Sequence, residues 1–224
     1  MFPLRDTIPS RTFPFVTISI IIINFFVFFY ELSLGPALSE FITSYGIIPV
    51  EFSNLSVKKP LQIIFLIFPL FTSTFLHGGW MHIIGNMWYL WIFGDNIEDR
   101  TGHFRFLIFY LLCGMLAGMT HILMNSHSSI PTVGASGAIA GVMGAYFLLF
   151  PRAKILTLVF LFIFIQIIEI PAIFFLGFWI LFQFISGSMS AGLTENSGGV
   201  AWWAHIGGFL IGLILVMFFK KRTR

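Results

Sequence analysis

Residues 136–152 read SGAIAGVMGAYFLLFPR. From Ser136 to Phe150 the run carries no charge, and Pro151-Arg152 ends it. At about 1.5 Å rise per residue such a helix reaches about 22 Å, whereas a hydrocarbon layer of about 30 Å asks for about 20 residues. With Arg152 at one face of a membrane, the helix must begin inside it, and Ser136 opens its first turn. The preceding segment, Ser128 to Ala135, then has to dip below the opposite face. Irregular backbone at that depth is tolerated only where it is buried in protein or lines a wet cavity. The stretch therefore predicts an all-α, polytopic membrane bundle holding a water-filled pocket that opens outward, with Ser136 at its floor.

Composition makes lipid the solvent. The 224 residues are 58% hydrophobic and 9% charged, with 30 phenylalanines, and the mean hydropathy is +0.95. A soluble domain carries about a quarter charged residues. The net charge of +3 comes from short basic clusters at the ends of apolar runs. That is a membrane pattern and not a basic groove, so a lipid bilayer is an expected partner and nucleic acid is not. The single Cys113 builds neither a disulfide nor a cysteine metal site. The whole chain, 1–224, reads as one membrane-embedded domain without a soluble appendage. Its first run, Phe13 to Tyr30, exceeds the apolar core of a signal peptide and reads as a retained span.

Two apolar runs, 61–94 and 155–186, are too long for one helix. Pro69 with Gly78-Gly79 divides the first, and Pro171 the second. Segments 61–76 and 155–168 are each either a further span or an apolar stretch in the interface. Loop charge favours the interface. With six spans at about 13–30, 80–94, 104–124, 136–150, 170–187 and 201–219, the inner side collects Arg5, Arg11, Arg100, Arg105, Arg152, Lys154, Lys220, Lys221, Arg222 and Arg224. Only Lys58 and Lys59 fall outside, as the positive-inside bias requires. Both termini are then cytoplasmic and the residence is a bacterial-type plasma membrane. Gly114-x-x-x-Gly118, Gly137-x-x-x-Gly141 and Gly208-x-x-x-Gly212 read as close helix packing.

Polar side chains inside spans are costly and need a reason. Counted from the inner end of each helix, Ser136 and His205 both lie about 22 Å deep, His82 about 20 Å and Asn86 about 14 Å. A serine hydroxyl needs a base to become a nucleophile, and His205 is the imidazole at matching depth on a separate span. Gly134-Ala135-Ser136-Gly137 resembles the glycine-flanked serine of acyl-transfer enzymes. A helix start also offers free N–H groups to an oxyanion. His82 and Asn86, four residues apart on one face, add side-chain donors. Asp95, Glu98 and Asp99 belong to the inner side and Glu195 to an outer loop, so a dyad fits better than a triad. Plainer readings stand beside these: Ser136 as an N-cap, the histidines and Asn86 as interhelical hydrogen-bonding glue. His77, His103, His121 and His127 sit at boundaries or in loops; His77 could shape the cavity mouth.

The stretch Phe75-Leu76-His77-Gly78-Gly79-Trp80-Met81-His82-Ile83-Ile84-Gly85-Asn86-Met87, then Gly134-Ala135-Ser136-Gly137, then Ala204-His205-Ile206-Gly207-Gly208 resemble, in order, the three signature motifs of rhomboid intramembrane proteases, in their compact six-span prokaryotic form. The resemblance runs from about Phe71 onward. It implies Ser136 as nucleophile, His205 as general base, and an oxyanion hole of His82, Asn86 and the Ser136 N–H. It further implies cleavage of other proteins' transmembrane segments near the outer leaflet, with neither metal nor cofactor. It places 61–76 in a partly membrane-embedded first loop, and makes the fifth span with the loop Ser186 to Gly199 a lateral gate. Two features depart from the family. Ala140 stands where some members carry an aromatic residue packed on the catalytic histidine, and the first loop lacks a Trp-Arg pair.

Two other classes compete. A transporter uses midplane polar groups and broken helices but tends to show an internal repeat, which this sequence lacks. A catalytically dead relative binds its clients without cutting them and usually loses the serine or the histidine, both of which are present here.

Overall fold

The computed structural model describes residues 2–53, 67–161, 164–190 and 200–221. Strand β1 (Phe2–Asp6) leads into helix α1 (Phe15–Ser33), followed by the short helices α2 (Leu38–Tyr45) and α3 (Pro49–Ser53). Helices α4 (Trp80–Thr101), α5 (His103–Met124) and α6 (Ser136–Leu149) come next. A hairpin of β2 (Lys154–Leu161) and β3 (Phe164–Pro171) then precedes α7 (Ala172–Ser190) and α8 (Trp202–Phe219). Helices α1, α5, α7 and α8 are long and apolar enough to cross a membrane, and α6 is a shorter apolar helix. The outer faces stay greasy: Phe26, Phe178 and Phe218 are all exposed, as lipid-facing positions should be.

The short helix α6 is the hub. Every residue from Gly137 to Tyr146 is buried, and α6 packs against α8, α5, α4 and α7. Glycine makes this possible, because a Cβ on Gly208 or Gly212 would strike the backbone carbonyls of Gly137 and Gly141 respectively. The small-residue spacings on α6 and α8 thus mesh backbone to backbone, the expected packing role.

Helix α1 is tied to the far end of α4. The N–H groups of Val16 and Thr17 donate to the buried Glu98 carboxylate at 2.9 and 2.8 Å, and those of Arg11 and Thr12 donate to Asp99. Glu98 thereby satisfies donors that the helix start leaves unpaired, at the positive end of its dipole, and Asp99 fixes the chain that leads into it. Gly102, at φ +90°, reverses the chain between α4 and α5. At that same end Lys221 N–H donates to the Arg100 carbonyl and the Arg105 guanidinium to the Phe218 carbonyl, so the basic residues gather there.

The segment 155–168 is not a helical span: its described residues are extended. It forms most of an antiparallel hairpin, and β1 adds to it in the order β1-β2-β3. The stretch is dense in Ile and Phe, which suit a pleated sheet. A fully apolar run of this kind does not reveal its period, so helix and strand look alike from sequence. The all-α bundle therefore carries a small sheet at its basic end. Of the segment 61–76, residues 61–66 lie outside the described residues, as does 191–199 of the loop after α7; Ser73–Phe75 forms a 3-10 turn.

Candidate active site

Opposite the basic end, a cavity of about 1270 Å³ opens among α4, α5, α6, α7 and α8. Ser136, His205, His82 and Asn86 all line it, so the four residues singled out by depth converge. Segment 126–133 supplies much of the rest of its wall. It is pinned by a bridge between Ile47 and Thr132.

Ser136 is the first residue of α6 and is half-buried. Its N–H and those of Gly137 and Ala138 lie in the first turn, where no intrahelical carbonyl is available; the ladder begins with Ile139 N–H donating to the Ala135 carbonyl. Ahead of it stands Gly134 at φ +128°, with its N–H on the Ser73 carbonyl. A Cβ on Gly134 would lie 2.7 Å from both Cε1 and Nε2 of His82. The turn before Ser136 therefore sits directly on the His82 ring, where only glycine fits.

His82 receives the Gly78 N–H on Nδ1 at 3.3 Å. An accepting Nδ1 puts the proton on Nε2, so the ring presents a donor beside Gly134. Asn86, one turn further along α4, is 8% exposed, and its Nδ2 has no hydrogen-bond partner among the described residues. Buried amide donors are nearly always paired, so an open one facing the cavity stands out.

His205, on the second turn of α8, is buried. Its Nδ1 lies 2.7 Å from Oε1 of Gln183 on α7, and its ring centroid is 5.8 Å from that of Trp179, tilted by 32°. Trp202 meets it edge-on at 6.3 Å. Ala140 is fully buried beneath Gly208, so the aromatic neighbours of the imidazole come from α7 and α8 and not from α6. No hydrogen bond joins Ser136 Oγ to His205 among the described residues.

Sequence reasoning missed Trp179 and Gln183. Gln183 was findable, because it is a lone amide within the apolar run 170–187, subject to the same cost as the other polar intruders. His121, given no role by its boundary position, also lines the cavity, with Nε2 at 3.0 Å from Thr132 Oγ1. His127 lies on the cavity wall as well. His77 is buried behind His82, ring centroids 5.2 Å apart, and its N–H donates to the buried Glu31.

Residues 66–222 match the Rhomboid domain family. The chain is 30% identical over 153 residues to "Rhomboid protein 1, mitochondrial" of Saccharomyces cerevisiae, covering 66% of this chain and 41% of that protein. It is 30% identical over 160 residues to "Rhomboid-like protein 11, chloroplastic" of Arabidopsis thaliana, covering 67% and 51%. To "Presenilin-associated rhomboid-like protein, mitochondrial" of Homo sapiens it is 27% identical over 160 residues, covering 67% and 37%. The chain thus spans about half the length of these curated relatives or less.

Proposed function

The chain belongs to the rhomboid family, and on that premise we propose that it is a serine endopeptidase that cuts transmembrane segments of other membrane proteins inside the bilayer. Ser136 is the nucleophile and His205 the general base. The observation that carries this reading is the convergence of Ser136, His205, His82 and Asn86 from three helices on one cavity, with the Asn86 amide donor left open.

In this mechanism His205 Nε2 takes the Ser136 Oγ proton as Oγ bonds to the scissile carbonyl carbon. Negative charge moves to the carbonyl oxygen. The Ser136 N–H at the helix start, His82 Nε2–H and Asn86 Nδ2–H receive it, in a setting where preorganised donors count most. Collapse expels the amine, which takes the proton back from His205, leaving an acyl-serine. Water, deprotonated by the same Nε2, then releases the acid. No acidic side chain is assigned to the machinery, and none among the described residues lines the cavity.

The chain crosses the membrane six times, by α1, α4, α5, α6, α7 and α8, with both termini on the basic, cytoplasmic side of a plasma membrane. The clustering of Arg100, Arg105 and Lys221 opposite the cavity supports that orientation. The cavity then opens toward the outer leaflet, where α7 and the loop after it admit the substrate sideways. A client-binding relative without catalysis is the second reading; the retention of both Ser136 and His205 favours the enzyme. Cleavage of a transmembrane reporter by purified protein in liposomes tests the choice. Wild type cuts and Ser136→Ala does not; equal behaviour of the two defeats the protease reading.

A further inference from the structure

Helix α7 is nearly all apolar, AIFFLGFWILFQFISGSMS, and most of its large side chains face outward. Gln183 is its one amide, and like Phe175 and Leu176 it turns inward. It is 5% exposed, turned into the bundle, and pairs through Oε1 with His205 Nδ1 on α8 at 2.7 Å. A primary amide buried in such a helix is expensive unless its oxygen and nitrogen find work. An accepting Oε1 fixes the proton of His205 on Nδ1, which leaves the Nε2 lone pair free. Trp179, four residues earlier on the same face of α7, lies against the same ring. One helix thus holds the imidazole by its edge and by its face.

We propose that Gln183 is a positioning residue for the general base, a neutral acceptor that holds His205 by Nδ1, and that the place of α7 therefore sets the reactivity of His205. This rests on the reading of Ser136 and His205 as the reacting pair. The carboxylate that orients histidine in many serine hydrolases fixes the tautomer and also stabilises the imidazolium. Gln183 does the first with its carbonyl dipole and contributes no charge. The titratable side chains that share the cavity are His82 on α4, Tyr89 on α4, and His121 and His127 from α5 and the segment after it. None of the described cavity residues is Asp, Glu, Lys or Arg. Among the described residues, the hydrogen bond that orients the ring at Nδ1 comes from α7, while Trp202 of α8 adds an edge contact. A displacement of α7 at the level of Gln183 frees the Nδ1 edge and idles the base, so substrate access and base alignment are linked through one helix.

The test compares Gln183→Leu and Gln183→Glu with wild type and Ser136→Ala in liposomes, reading kcat, KM, melting temperature and the pH profile of cleavage. Leucine keeps bulk and suits the helix but offers no acceptor. Its kcat is expected to fall by about tenfold or more, at the scale of lost acid–base assistance, with KM and melting temperature close to wild type. Glutamate restores the acceptor and adds charge, so cleavage returns and the acid limb of its pH profile moves up by about 1 unit or more. A role as plain helix glue lowers the melting temperature of both variants and leaves the pH profile in place. That result, or wild-type cleavage by Gln183→Leu, overturns the assignment. An inactive Ser136→Ala beside a fully active Gln183→Leu sinks this inference alone. Cleavage by Ser136→Ala sinks the reading beneath it.

Discussion

Gly208 on α8 rests on the carbonyl of Gly137 on α6, one residue past Ser136, with no room between them for a Cβ. Because His205 precedes Gly208 by three residues, this contact holds the α6 and α8 ends that carry the proposed nucleophile and base. Gly208→Ala puts a methyl against backbone that has no rotamer with which to yield. A loss of at least about 1–3 kcal/mol is expected from such overpacking, read as a lower melting temperature in detergent together with weaker cleavage. An alanine variant as stable as wild type contradicts the packing described.

Gly134 is the complementary case, since its constraint is local to the site. Alanine there meets both a positive φ and the His82 ring at 2.7 Å. The backbone strain costs about 1–3 kcal/mol, and relief requires the turn before Ser136 to move away from His82. Cleavage by Gly134→Ala is expected to drop about 10²-fold, the scale of an ångström's misplacement, while the protein still folds. Near-normal turnover speaks against the close seating of this turn on His82.

Much of this architecture was legible in the sequence, for reasons that differ by residue. The shortness of the run from Ser136 to Phe150 followed from length alone, and it required the dipping segment that the structure places on the cavity wall. Depth counting could align Ser136, His205, His82 and Asn86 because helices have a fixed rise. It could not see Trp179, since an aromatic residue in an apolar helix gives no signal until its neighbours are known. Gln183 did give one, and a search confined to acids as partners for His205 passed over it. The hairpin of β2 and β3 was hidden for another reason. Its residues are apolar at nearly every position, which removes the alternation that marks a strand, and its pairing with β1 is set by a segment about 150 residues away in sequence.

The donors on α4 make a graded prediction. Removing one preorganised donor to an oxyanion costs about 10²–10³ in kcat. Asn86→Ala and His82→Ala should each lose that much, with KM little changed, measured on the liposome reporter. His82→Ala also releases the contact with Gly134, so it is expected to be the worse of the two. Loss confined to KM in either variant assigns that residue to substrate binding.

Asp6 on β1 links the sheet to the bundle and gives a pH signature. The Tyr146 hydroxyl and Asn96 Nδ2 both donate to its Oδ2. Burial raises its pKa above the ordinary 3.8, with the Tyr146 hydrogen bond partly opposing the rise. A carboxyl whose folded-state pKa is raised binds more protons folded than unfolded. Its contribution therefore falls as pH climbs from about 3.8 to the raised value and stays lower beyond it. Asp6→Asn lacks that penalty. Its melting temperature relative to wild type should rise across this window and level off above it; a difference that is flat with pH contradicts the account.

The central claim is that Ser136 is a nucleophile made reactive by His205. Labelling of the membrane-embedded protein with a serine-directed fluorophosphonate, followed by mass-spectrometric mapping of the adduct, tests both halves at once. The account predicts a single adduct on Ser136 in wild type and its near-complete loss in His205→Ala. An adduct on another residue, or labelling of Ser136 that survives the loss of His205, contradicts it.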